Sequence, residues 1–305
     1  MTTIATRTAR PADVTAGHRH KPLSDRRSTV LTLGMLALLI YFVLPLFWLF
    51  VASTKTTGDL FASFGLWFSD DFSLLSNIRQ TVTYDGGVYA RWMGNTIFYS
   101  VVSAGGAAFL CALGGYGFAK YRFRGNGAMF ALVLGSIMVP TTALAIPTYL
   151  LFSKVGLVNT PWAIILPSLV SPFGLYLMRI YAQDAIPDGI IEAARIDGAS
   201  EFRIFFQVAL RMLAPGFVTV LLFTLVATWN NYFLPLIMLN NPKLYPVTVG
   251  LAAWSSQSVG GGGSTGELLS SVVTGSLLSV IPLIAAFLLL QRYWQSGLSA
   301  GSVKD

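Results

Sequence analysis

The residues best suited to chemistry lie in two short stretches, and neither suits bond making. In the first, from Gln183 to Leu213, Glu192, Arg195 and Asp197 flank the small pair Ala193-Ala194 and stand just before Gly198. Acids and a base around two alanines offer polar contacts beside a surface that another helix can approach closely. In the second, Thr228-Trp229-Asn230-Asn231-Tyr232, two amides sit between aromatic rings. Amides in an apolar setting are costly unless partnered. Such a group suits either sugar hydroxyls, bonded at the edges and stacked on a ring face, or hydrogen bonds between helices. The usual equipment for catalysis is missing. GxSxG, HExxH, CxxC and GxxxxGK[ST] do not occur. His18 and His20, the only histidines, sit in a basic stretch that reads as a solvated tail, so no metal site is expected.

The first stretch must be held by two short helices. Pro187 and Asp188 suit a first helical turn, because proline has no amide to lose there and an acid favours the positive helix end. Gly198 suits the left-handed conformation that closes the first helix. Ser200 suits the N-cap of the second, with Glu201 in its first turn. Phe202, Phe205, Phe206, Ala209, Leu210 and Leu213 then share one face, and Arg203, Gln207 and Arg211 another, at helical spacing. By amphipathicity alone this pattern also fits a hairpin lying in a membrane surface.

Around these stretches the chain is apolar. Of 305 residues, 54% are hydrophobic and 11% charged, less than half the charge of a soluble domain. The composition predicts an all-α membrane protein. A span needs about 20 mainly apolar residues, and six candidates are present, at 29–52, 92–118, 126–152, 161–179, 213–239 and 268–291. The first run is long and lacks a small-residue cleavage site, so it reads as an uncleaved span. Cys111, the single cysteine, lies in the second span and excludes an intrachain disulfide. No Asp, Glu, Lys, Arg or His stands in the middle of any span, which disfavours proton relays strongly and sodium coupling moderately. If this chain moves a solute uphill, another subunit supplies the energy.

The net charge of +7 follows the loops, not one soluble face, so nucleic acid is not the expected partner. With an inside N-terminus, fifteen lysines and arginines fall inside, and Lys55, Arg79, Arg91, Lys154 and Lys243 fall outside. The positive-inside rule supports that orientation, with both termini and 183–213 in the cytoplasm. The expected divisions are a basic tail at 1–28, a first helix and external loop at 29–90, a membrane core at 91–292 and a C-terminal tail at 293–305. The external segment 53–90 reads as a plain loop with interfacial aromatics or as a small external subdomain, and 240–267 as a loop with a glycine-rich run. Glycines such as Gly105, Gly106, Gly114 and Gly115 suit close helix packing, and Pro140, Pro147, Pro167, Pro172, Pro235 and Pro282 suit bends or breaks.

Glu192-Ala193-Ala194, followed by Gly198 and an amphipathic helix between the fourth and fifth spans, resembles the EAA loop of bacterial ABC-importer permeases. Tyr116 to Phe123, Pro140 to Pro147, Gly156-Leu157-Val158-Asn159-Thr160, Trp229 to Tyr232 and the tail from Gln291 to Lys304 extend the likeness to carbohydrate ABC-importer permeases of the MalG type, over about 30–305. The resemblance implies the type I importer fold, with six transmembrane helices and a cytoplasmic coupling helix. It implies ATPase-coupling roles for Glu192, Ala193, Ala194, Arg195, Asp197, Gly198, Phe202 and Phe205, and an ATPase contact at Gly301, Ser302, Val303 and Lys304. Trp229, Asn230, Asn231 and Tyr232 are the substrate-path candidates. The implied partners are a second permease, two ATPase subunits and an extracytoplasmic sugar-binding protein, in the bacterial plasma membrane. The chain is expected to be a transport subunit and not an enzyme, with no cofactor of its own, ATP and magnesium belonging to the ATPase. Where the family often has Leu-Pro near the end of the loop, this chain has Leu210-Arg211, and Pro215 stands ready to take the bend. The competing readings are a stand-alone secondary carrier for a neutral solute and a membrane scaffold that does not transport.

Overall fold

The structure, a computed structural model, describes residues 29–260 and 266–299. The basic tail with His18 and His20, and the segment Gly301 to Lys304, lie outside the described residues. Every regular element described is helical. In order these are α1 Thr29–Ser53, α2 Thr57–Ala62, α3 Leu74–Lys120, α4 Asn126–Ile137, α5 Ala145–Lys154, α6 Trp162–Ser168, α7 Pro172–Ala185 and α8 Asp188–Ile196. Then come α9 Glu201–Ile204, a π turn over Phe205–Ala209, α10 Leu210–Met212, α11 Ala214–Trp229, α12 Phe233–Met238, α13 Val247–Gly260 and α14 Gly266–Ser299. The chain divides into two units, 1–45 and 46–305. In the first, the described residues belong to α1 and expose Leu31, Leu33, Tyr41 and Phe42, as an apolar helix facing hydrocarbon does.

In the second unit α3 is the axis. Its first arm ends where Tyr84 to Gly87 leave helical geometry, with Asp85, Gly86 and Gly87 all at positive φ. From 88 onward the helix runs to Lys120 against α7 and α11. Two glycines permit this. A Cβ on Gly115 would lie 2.6 Å from Met178 Cβ and 2.7 Å from the Arg179 nitrogen. One on Gly174 would lie 2.8 Å from Val220 and 2.9 Å from the Cys111 sulfur. At this junction Cys111, Ala112, Met178, Ala182 and Val220 are all buried in one apolar cluster. Not every glycine does this work: Gly94, Gly105 and Gly117 have nothing within 4 Å of a Cβ.

Among the described residues, four helices are long and apolar enough to cross a membrane, and a fifth is counted if Glu201–Met212 and Ala214–Trp229, bent by 77°, form one span. Several of the six expected spans are interrupted, as their prolines allow. The stretch 126–152 is two helices of 12 and 10 residues. At 1.5 Å per residue each covers about 18 Å or less, short of a hydrocarbon core of about 30 Å. The expected span 213–239 stops at Trp229 and resumes as α12. Breaks therefore occur at 138–144, 169–171 and 230–232, and Pro140 and Pro172 stand at two of them, where a missing amide favours the interruption.

The segments 53–90 and 240–267 hold more structure than a linker would. The first contains α2 and the opening arm of α3, with Lys55 and Asn77 buried. Lys55 Nζ donates to Phe64 O at 2.7 Å, and Asn77 Nδ2 donates to Ser53 O and Lys55 O. The second contains α13, whose Trp254 packs against Trp92 and Tyr89. The last helix also continues to Ser299, past the expected start of a tail at 293.

Candidate functional site

The hairpin 188–212 forms as its residue types require. Asp188 lies in the first turn of α8, after Pro187 in extended geometry. Gly198 takes φ +77° just past that helix. Ser200 caps α9, its hydroxyl accepting from the Arg203 amide. Pro215 lies in the first turn of α11, beside the 77° bend. The π turn at 205–209 is a departure from the expected periodicity. It turns Ile204, Phe205, Ala209 and Leu213 inward, each at most 3% exposed, and leaves Phe202 and Phe206 exposed. A π turn advances fewer degrees per residue than an α turn, so the apolar face expected from 3.6 periodicity is redistributed. Phe205 is corrected accordingly. It is buried against Tyr116, ring centroids 5.4 Å apart, and is not available to a partner.

Three side chains tie the hairpin to the end of α3. Lys120 Nζ pairs with Asp188 Oδ1 at 2.8 Å, at the start of α8. The next residue, Tyr121, donates its hydroxyl to Glu201 Oε2 at 2.5 Å. Glu201 also receives Arg195 in a two-point pair, Nε to Oε1 at 2.6 Å and Nη2 to Oε2 at 3.2 Å. Two consecutive residues at the end of α3 thus reach both ends of α8, the second through Glu201. The Lys120 ammonium holds the Asp188 carboxyl below its usual value. The Arg195 guanidinium, then the Tyr121 hydroxyl, hold Glu201 low. Burial, then the Glu201 carboxylate, push the Tyr121 hydroxyl up, so it stays a donor. Sequence reasoning misses Lys120, Tyr121 and Glu201 as a clamp; only their types, a base, a phenol and an acid near the loop, hint at it.

What the hairpin shows outward is Glu192, Ala193, Ile196, Asp197, Gly198 and Phe202, all exposed, with Ile196 at 86% and Phe202 at 73%. Ala194 is half-buried against the core. Arg195 is exposed but already engaged by Glu201. Arg203 and Gln207 touch at 2.9 Å, as their i, i+4 spacing predicts.

At the other station the three helix breaks converge. A cavity of about 600 Å³ is lined by Thr141 from the first break, Val170 and Ser171 from the second, and Asn230, Asn231 and Tyr232 from the third, with Ser168 at the end of α6 and Thr224 and Thr228 of α11. A second cavity of about 500 Å³ shares Thr141, Ser168 and Asn231. Trp229 is corrected: it is buried and does not line either space. Asn230 Nδ2 donates back to Val226 O at 3.0 Å. No charged side chain is among the described residues lining the two cavities.

Just after the break in α3, a loop is held by backbone recognition. Trp92 Nε1 donates to Pro242 O, Asn95 Nδ2 to Lys243 O and Tyr245 O, and Tyr99 to Leu244 O, while Thr96 Oγ1 accepts from Val247 N. Asn159, at φ +61°, accepts from the Asn240 and Asn241 amides at 3.0 and 2.9 Å.

A helical bundle with interrupted apolar helices around an uncharged polar cavity, and a charged hairpin fixed to its central helix, defines an integral membrane permease. The chain belongs to the family described as binding-protein-dependent transport system inner membrane component, whose profile matches residues 104–299. It is 30% identical over 287 residues to the arabinooligosaccharides transport system permease protein AraQ of Bacillus subtilis (strain 168), covering 94% of this chain and 99% of that protein. It is 32% identical over 278 residues to the AraQ protein of Halalkalibacterium halodurans, covering 91% and 96%. The lactose transport system permease protein LacG of Rhizobium radiobacter is 27% identical over 265 residues, 86% of this chain and 91% of that one. Among solved structures, a chain of a bacterial ABC transporter involved in the import of the acidic polysaccharide alginate shares the fold, with TM-score 0.74 at 22% identity, over 90% of this chain and 100% of that one.

Proposed function

We propose that this chain is the permease subunit of an ATP-driven sugar importer in the bacterial inner membrane, where it forms half of the translocation path. Its termini and the hairpin 183–213 face the cytoplasm. A second permease completes the path, two ATPase subunits supply the energy from bound ATP and magnesium, and an extracytoplasmic binding protein delivers the sugar. The named relatives support sugar as the cargo class.

The observation that carries the coupling role is the two-sidedness of the hairpin. Its inner face is buried on α3, α7 and α11, and its outer face presents Glu192, Ala193, Ile196, Asp197 and Phe202. A surface so fixed behind and so exposed in front suits a partner that moves it as a body. ATP-driven closure of the ATPase pair would carry α8 with it, and Lys120 and Tyr121 would pass that displacement to α3. Gly301 to Lys304 would add a second ATPase contact. The wall formed by Asn230, Asn231 and Tyr232 is the proposed sugar path. Glu192→Lys or Gly198→Trp in the reconstituted complex should leave insertion intact and abolish stimulated ATP hydrolysis. Unchanged stimulation in both variants would defeat the docking role.

A further inference from the structure

Lys120, Arg195 and Arg203 each have an acceptor, in Asp188, Glu201 and Gln207. Arg179, in the second half of α7, has none among the described residues, although its Nε is sealed from solvent. Its guanidinium lies instead over the ring of Phe130 in α4, 3.8 Å from the centroid. That ring is buried and packs in turn against Phe118 and Tyr176. A ring so close covers one face of the guanidinium and leaves the edge free, and the five donors of an arginine all point along that edge. A sealed donor on a cation is costly to leave unpaired, so an acceptor is implied. The acids of this chain do not supply it: the two ion pairs among the described residues are Lys120–Asp188 and Arg195–Glu201.

Depth and surroundings say what does. A Cβ on Gly115 would lie 2.7 Å from the Arg179 nitrogen, so Arg179 stands level with Gly115. Helix α3 runs on to Lys120, about 7.5 Å further at 1.5 Å per residue. From just inside the end of the central helix, a long basic side chain reaches the membrane boundary. The loop joining α3 to α4 carries Arg122 and Arg124, both exposed. Asn126 Nδ2 ties that loop back, donating to Phe118 O at 3.3 Å and Tyr121 O at 3.1 Å. Helix α4 then exposes Met129 and Leu132. Its 12 residues cover about 18 Å, close to the depth of one leaflet. Bases at one end and exposed apolar side chains along the helix match an amphiphile with a negative head.

We infer that Arg179, with Arg122 and Arg124, holds the phosphodiester of an anionic phospholipid at the junction of α3, α4 and α7, in the leaflet on the hairpin side. The guanidinium edge donates to two phosphate oxygens, and the Phe130 ring keeps that fork from swinging. Arg122 and Arg124 add charge from the loop, and Met129 and Leu132 lie along the acyl chains. A lipid seated there braces the short helix α4 against α7. The inference is independent of the sugar-path reading.

The test titrates the purified complex with phosphatidylglycerol and reads retained lipid by native mass spectrometry, with phosphatidylcholine and inorganic phosphate as comparison probes. Wild type should hold one phosphatidylglycerol about ten-fold more tightly than it holds phosphatidylcholine, and about ten-fold more tightly than Arg179→Gln does. Arg179→Lys keeps the charge and loses the fork, and should bind about three-fold more weakly than wild type. Arg79→Gln, the same loss of charge at an exposed position, should bind as wild type does. Phosphatidylglycerol should also raise the Tm of wild type and leave that of Arg179→Gln unmoved. Should Arg179→Gln fail to assemble, Arg122→Gln/Arg124→Gln changes only exposed loop residues and should still weaken retention about three-fold. Equal retention of the two lipids by wild type, or full retention by the arginine variants, would overturn the site. Displacement of the lipid by excess inorganic phosphate would overturn it in favour of a free anion. Loss of a partner subunit from Arg179→Gln with lipid retention unchanged would overturn it in favour of an acid on that partner.

Discussion

Tyr121 and Glu201, 80 residues apart, meet through a 2.5 Å hydrogen bond that joins the end of the central helix to the second arm of the hairpin. Glu201 is at once the first-turn acid of α9 and the partner of Arg195 at the end of α8. One carboxylate therefore sets the angle between both arms and anchors them to α3. Glu201→Gln and Tyr121→Phe should each lower sugar-stimulated ATP hydrolysis about three-fold while the ATPase subunits still bind, because a hydrogen bond to a charged group is lost at a hinge. Stimulation at the wild-type level in both variants would show that the clamp carries no displacement.

The same contacts fix a pH dependence. Glu201 and Asp188 are held below their ordinary values, 4.5 and 3.8, by Arg195 and Lys120. A depressed carboxylate stabilises the folded hairpin above the unfolded value, and that contribution is lost as pH falls through the folded one. Protease access at 188–212 should therefore be equal at about pH 7 and about pH 5 and rise at about pH 3.5. A rise between the first two points would contradict the assignment.

Gly198 closes α8 at φ +77°, with open space for 4 Å around the point a Cβ would occupy. Gly198→Ala should cost about 1–2 kcal/mol through backbone strain alone. Gly115→Ala differs in cause, since its Cβ would strike Met178 and the Arg179 backbone; overpacking there should cost about 1–3 kcal/mol. Thermal unfolding in detergent, read against Gly117→Ala as an unhindered control, checks both.

Asn159 accepts two amides of the facing loop from a left-handed backbone position. Asn159→Gly keeps the backbone and loses the acceptor, whereas Asn159→Ala loses both. The first should lower stability by about 1 kcal/mol and the second by more, because strain is added to the lost bonds. Identical melting temperatures for the two variants would remove the strain component.

Lys55 is 1% exposed, and its ammonium donates to Phe64 O. Lys55→Met should be close to neutral, since an apolar side chain of similar length avoids the desolvation cost. Lys55→Glu places an unpaired anion among carbonyls and should prevent stable expression. A severe loss in the methionine variant would mean that the cation itself is needed.

Much of the hairpin is legible along the chain, because caps and helix stops are local. Pro187, Asp188, Gly198 and Ser200 act through backbone groups within three residues, so their types and order suffice. Phe205 is not legible in this way, because its burial depends on the π turn and on Tyr116, a residue 89 positions away by number. Trp229 escapes local reading for a related reason: where the helix breaks decides which neighbours face the cavity.

By itself the sequence determined the membrane class, the lack of Asp, Glu, Lys, Arg and His in the middle of the expected spans and the helix ends of the hairpin. These follow from composition and from contacts a few residues long. Only the tertiary structure decided that three breaks meet at one cavity and that Lys120 and Tyr121 straddle α8. Those facts depend on helix crossing and register, which are set by close packing at residues such as Gly115 and Gly174 and leave no periodic mark along the chain.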